Sequence, residues 1–162
     1  WGIPAGMLPQ AYNNNMQIVQ TPDHVMIMIE MVHDVRIVPL DGRPHLPETV
    51  TQWHGDPRGW WEGDTLVVES TNFSAKTNFR RANVDLHLVE RFTRVADDML
   101  LYEFTVTDPT TWESPWTVSF PMRSTDQPLY EFACHEGNYG LLNILRVARA
   151  LERQAAEQKS QP

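Results

Sequence analysis

Glu90 is the residue whose position in the sequence most needs a chemical explanation. The strand-like run Leu86–Val95 is followed by a second, Met99–Thr107, across Ala96-Asp97-Asp98. That pattern predicts a hairpin in which Phe92 faces Tyr102, Leu88 faces Val106 and Arg94 faces Leu100. Leu88, Phe92, Leu100, Tyr102, Phe104 and Val106 then share one apolar face, with Arg91 opposite Glu103 on the other. Glu90 falls on the apolar face, between Leu88 and Phe92 and opposite Phe104. A carboxylate placed there is costly unless it is paired or hydrogen-bonded. Arg94, four residues on and on the same face, is the partner the spacing offers. Two readings stand side by side: an internal Glu90–Arg94 ion pair, or a carboxylate lining a ligand cavity.

Other polar groups gather in loops: His33-Asp34-x-Arg36, His45 with Asp41 and Arg43, His54-Gly55-Asp56, and Cys134-His135-Glu136. His33, Asp34 and Arg36, together with Trp60 and Trp61, are candidates to join Glu90 and Arg94 in binding a small molecule. Mixed imidazoles and carboxylates also suit zinc, copper or iron. His45, His54, His135 and Glu136, with His33, therefore define a second reading, a metal-dependent enzyme such as a hydrolase. No His-Glu-x-x-His or paired-His spacing supports it, and the same residues serve equally well as turn formers. Nucleophilic chemistry has little basis. There is no Gly-x-Ser-x-Gly elbow, and Cys134 and His135, adjacent on a strand, point to opposite faces. No glycine-rich phosphate loop is present, so no nucleotide cofactor is expected.

The elements that must position these groups are mostly strands. Residues 1–15 read as an irregular lead-in with Pro4, Pro9 and three consecutive asparagines. Strands follow over 16–20, 25–31 and 35–40, with a turn at His33-Asp34. A polar connection runs through Gly59, and Trp60-Trp61 pairs with 65–70 across Glu62-Gly63-Asp64. Residues 72–85 read as a polar loop, 116–120 alternates as a half-buried strand, and 129–135 reads as one more. The period then changes. Leu141, Ile144, Leu145, Ala148 and Leu151 fall at helical spacing, predicting an amphipathic helix over 140–153 and a frayed tail over 155–162. The expected fold is one mostly β domain over 1–162. It is an antiparallel meander curling into a lipocalin-like barrel, closed or incomplete, with one C-terminal helix; a strongly bent sheet is the alternative.

Net charge is −8, and no basic face for phosphate appears, which argues against nucleic acid. No apolar run approaches the roughly 20 residues of a membrane helix, so no span is expected. One cysteine excludes an internal disulfide. The six tryptophans supply material for a core, an interface or a site for aromatic, sterol-like or sugar ligands.

Five blocks occur in order: Gln17-Ile18-Val19-Gln20-Thr21-Pro22; Leu40-Asp41-Gly42-Arg43-Pro44-His45; Trp61-Glu62-Gly63-Asp64-Thr65-Leu66-Val67-Val68; Val89-Glu90-Arg91-Phe92; and Cys134-His135-Glu136-Gly137-Asn138. Together they resemble a large family of uncharacterised exported bacterial proteins with lipocalin-like β-barrel character. The resemblance implies a periplasmic or secreted location and a barrel architecture. It also implies that this chain, which begins at Trp1 with no leader, corresponds to the C-terminal part of such a protein. A closing strand would then come from an upstream segment or another copy. The leading functional expectation is an exported barrel binding an apolar or aromatic small molecule. The metal-dependent enzyme stands second, and a structural or assembly subunit pairing through strand edges stands third.

Overall fold

The computed structural model describes residues 8, 12–133, 136–137 and 139–159. The chain divides into two compact units, residues 1–132 and 133–162. In the first, β1 (Met16–Gln20), β2 (His24–Ile29) and β3 (Val35–Pro39) form a three-stranded sheet. A five-stranded sheet follows, made of β4 (Asp56–Glu62), β5 (Thr65–Thr71), β6 (His87–Ala96), β7 (Met99–Thr107) and β8 (Trp116–Arg123). All pairings are antiparallel between consecutive strands. The second unit contains α1 (Gly140–Lys159).

The fold is therefore the expected antiparallel meander with a C-terminal helix. Among the described residues, however, no ladder joins β3 to β4 or β8 to β1, and no closed barrel forms. The β6–β7 register matches the hydrophobic pattern: Phe92 opposes Tyr102, Leu88 opposes Val106 and Arg94 opposes Leu100. The register slips only between Arg94 and Ala96, where a bulge tightens the turn at Asp97-Asp98. Arg91 lies opposite Glu103 as predicted, but its guanidinium reaches Glu62 Oε2 instead, at 2.7 Å.

Four other expectations differ from the structure. Residues 56–59 belong to β4 rather than to a polar connection. There Gly59 takes the side chains of Val38 and Leu40 directly against its backbone, which brings β3 onto β4. The 72–85 segment is not simply polar, because Phe73, Thr77, Phe79 and Ala82 are buried and plug one end of the core. Phe79 stacks on Trp116 with ring centroids 5.9 Å apart. Their irregular spacing fits neither period, which is why the pattern hides them. No strand forms over 129–133, and the His135 end of that expected strand lies outside the described residues. The N–H groups of Tyr130 and Phe132 are taken by side chains, Glu30 Oε1 (2.9 Å) and His33 Nε2 (3.1 Å). The helix also continues past the 140–153 span marked by the periodicity, to Lys159.

The core lies between the two sheets. Val25, Ile27, Ile29 and Val38 come from the smaller sheet, and Leu66, Val68, Leu88, Phe92, Tyr102, Phe104 and Val106 from the larger. Burial alternates along β2, along β6 up to Thr93 and along β7 from Tyr102, as period-two sheets with one face inward require.

Gly55 separates two contributions to this packing. Its φ is +72°, and an added Cβ would lie 2.7 Å from the Thr71 carbonyl oxygen and 2.8 Å from the Phe73 ring. Gly63 has φ +58° with open space around it. Gly55→Ala should lower unfolding free energy by about 2–4 kcal/mol, and Gly63→Ala by about 1–2 kcal/mol, in denaturant titrations.

Candidate functional site

Inside the first unit, Glu90 is fully buried at 0% exposure, on β6 as predicted. Its partner is not Arg94. Arg94 is exposed and turns over the hairpin to give Nη2–H to the Asp97 carbonyl (2.6 Å). The cation facing Glu90 is Arg36, buried on the inward face of β3. Its Nη1 donates to Glu90 Oε1 (3.0 Å) and its Nη2 to Oε2, while Tyr102 Oη donates to Oε1 (2.7 Å). Strand alternation pointed correctly to the inward carboxylate. It could not find a partner 54 residues away on another sheet. Burial works against the Arg36 charge, yet the Glu90 charge and hydrogen bonds outweigh it and raise the guanidinium pKa. Arg36 Nε is left without a partner among the described residues.

On the opposite face of the larger sheet sits a second cluster that the sequence reading caught only in part. His45 Nδ1 lies 3.1 Å from Asp56 Oδ2, and its Nε2 lies 3.4 Å from Glu69 Oε2. His87 Nε2 approaches Glu69 Oε1 at 2.7 Å. Asp56 also accepts from Leu46 N–H (2.8 Å) and Arg58 Nη1–H (2.7 Å). Arg58 is fully occupied holding the loop down, with Nε and Nη2 donating to the Pro44 carbonyl at 3.0 and 2.9 Å. Glu69 and His87 were missed because both occupy outward strand positions, where polar residues attract no notice. Burial opposes ionisation of Asp56, but the Leu46, Arg58 and His45 donors prevail and its pKa is lowered. Glu69 is also lowered, chiefly by the His87 hydrogen bond, with burial opposing and His45 adding a further contact.

The remaining candidates are scattered. His54 Nε2 lies 3.4 Å from Asp34 Oδ2, apart from the His45 cluster. Glu136 is exposed in the second unit, and His135 lies outside the described residues. Among the described residues no group of three or more His, Cys, Asp or Glu could hold a metal ion. Trp60 faces outward and gives its indole N–H to Glu62 Oε1 (2.9 Å).

The gap between the two sheets leaves a cleft of about 540 Å³ on the β1–β8 side. Its apolar wall comes from inward positions of both edge strands: Met16 and Ile18 from β1, Phe120 and Met122 from β8, with Ile29 behind. Asn13, Asn15 and Gln127 contribute polar groups. A recess of about 270 Å³ continues past Ile18, Leu100 and Met122 to Arg94 and Asp97.

Glu30 organises one end of the cleft. Buried at the end of β2, its carboxylate accepts from Asn15 N–H (3.3 Å) and Tyr130 N–H (2.9 Å), joining the segments before β1 and after β8. His33 holds the next point, Phe132, whose ring lies edge-on to the imidazole at 6.4 Å and stacks on Tyr12 at 6.1 Å. Val32 and His33 adopt φ of +64° and +57° there. For a β-branched residue this is unusual, and it is sustained by the contacts that the tight turn makes possible. No family model, curated protein or solved structure matches the chain.

Two measurements check these electrostatics. Glu90→Gln strands the buried Arg36 cation and should cost about 3–5 kcal/mol, while Glu90→Leu with Arg36→Met should recover most of that loss. Asp56 and Glu69 have folded pKa values below their unfolded ones, so their stabilisation is complete above the unfolded values, about 4. It is lost as pH falls through the folded values. Melting temperature should therefore drop steeply below about pH 4, and less steeply in Asp56→Asn.

Proposed function

We propose that this protein binds a small, largely apolar molecule in the cleft between β1 and β8, as an incomplete lipocalin-like barrel. The observation that carries this reading is the cleft itself. About 540 Å³ lies within the range of small-molecule sites, roughly 300–1,000 Å³, and the wall is mostly aliphatic, thioether and aromatic. The amides of Asn13, Asn14, Asn15, Gln17 and Gln127, with Arg123, Ser124 and Thr125, supply the polar groups that would orient a ligand's polar end. The resemblance to exported bacterial proteins supports a further proposal, that binding takes place in the periplasm or outside the cell.

The location differs from the one centred on Glu90. The Arg36–Glu90–Tyr102 triad satisfies its own carboxylate and lines none of these clefts. Met16, Ile18, Phe120 and Met122 take its place as the ligand wall, with His33 and Glu30 shaping one end.

The neutral fluorophore N-phenyl-1-naphthylamine tests the proposal. Saturable binding with a blue-shifted emission is expected for the full chain. Met122→Trp, which fills the cleft, should weaken it at least about tenfold with little change in melting temperature. Absence of saturable binding, or affinity untouched by Met122→Trp, would remove the reading.

A further inference from the structure

Beyond the cleft and its recess, which ends at Arg94 and Asp97, the same two residues border a further hollow. Along β4, Gly59 is packed against Val38 and Leu40, so Gly59 and Trp61 share the core-facing side. Along β6, Glu90, Phe92 and Arg94 share that side too, and along β1 so do Ile18 and Gln20. Trp61, Arg94 and Gln20 are thus the inward positions one layer beyond the core. With Asp64 of the β4–β5 turn and Asp97 of the β6–β7 turn they line an open hollow of about 660 Å³.

An inward layer at a sheet end is ordinarily closed by apolar side chains. Here the hollow is lined by one indole, one amide, one guanidinium and the two turn carboxylates, beside Val95 and Ala96. Trp61 is 46% exposed. Trp60 gives its indole N–H to Glu62, whereas the Trp61 indole makes no side-chain hydrogen bond among the described residues. Gly63, at φ +58° with nothing within 4 Å, holds the adjacent turn tight and leaves the approach to the indole clear of side-chain bulk.

We infer that this hollow is a saccharide-binding site. The apolar C–H face of a pyranose lies flat on an indole, and an exposed tryptophan provides that platform at low entropic cost. Planar polar side chains then read the hydroxyl groups. Asp64 and Asp97 accept, Gln20 both donates and accepts, and Arg94 donates. Arg94 is already steadied for this by its bond to the Asp97 carbonyl (2.6 Å). A shallow, wet site also suits a ligand whose hydroxyl groups keep part of their hydration. Two other ligand chemistries fit less well. A cation would meet the Arg94 guanidinium, and an apolar ligand would strand two carboxylates.

The experiment uses the full chain and a panel of neutral disaccharides, maltose, cellobiose and chitobiose, with tetramethylammonium as the cationic control. Binding is read by calorimetry and by movement of the Trp61 indole N–H resonance, assigned from its loss in Trp61→Tyr. At least one disaccharide should bind and shift that resonance. Trp61→Ala should weaken binding about tenfold and Asp64→Asn about threefold, while Trp61→Tyr retains most of it and Trp60→Ala changes nothing. A panel without binding overturns the inference. So does binding that Trp61→Ala leaves intact, or a Trp61 resonance that moves for tetramethylammonium alone. Should Trp61→Ala fail to fold, Asp64→Asn and the resonance shift decide the matter.

Discussion

Two sheets that share no hydrogen-bonded ladder are tied through their middle by one ion pair, Arg36 to Glu90. The constraint behind it is the cost of a buried charge. Neither residue tolerates the interior alone, so the position of one dictates the position of the other across the core. Tyr102 adds a third donor and sits within the aromatic run of Phe92, Phe104 and Phe120, with centroid distances of 4.9, 5.7 and 5.4 Å. Apolar contacts would hold the sheets together in many registers, because they lack direction. A bidentate pair has one geometry, and it therefore aligns β3 with β6.

The same division into two sheets creates the space for ligands. A fully laddered barrel of eight strands fills its interior with side chains or encloses a small ligand. Here Gly59 allows close packing of β3 on β4 on one side of the core. On the other side β1 and β8 stay apart, and the cleft opens between them. Glu30 and His33 close one end by accepting N–H groups from the chain that returns after β8. The far end has no such strap, and its inward layer turns polar around Trp61.

The outer face follows a different logic. Asp56, Arg58, Asn72 and Glu69 fasten the long 40–55 connection to β4 and β5 through side-chain bonds to its backbone and to His45. The acid-sensitive part of the fold therefore lies on this face, away from the cleft. Arg36 and Glu90 pair between the two sheets instead.

The sequence by itself determined the local features that depend on alternation: the strands, the β6–β7 register, the inward direction of Glu90 and the late helix. Period-two burial makes a one-residue slip expensive, so these are legible from apolar spacing alone. Three matters were decided only in three dimensions. Glu90 chose Arg36 over Arg94 because Arg94 lies one layer nearer the sheet end, where solvent and the Asp97 carbonyl satisfy it. The strands divide into two sheets with no ladder between them among the described residues, and pairing between edge strands depends on contacts distant in the chain, which no local period encodes. His45, Asp56, Glu69 and His87 came together because the 40–55 connection folds over β4–β6 and sets residues 11 to 24 positions apart side by side, whereas in the sequence Glu69 and His87 show only ordinary surface polarity.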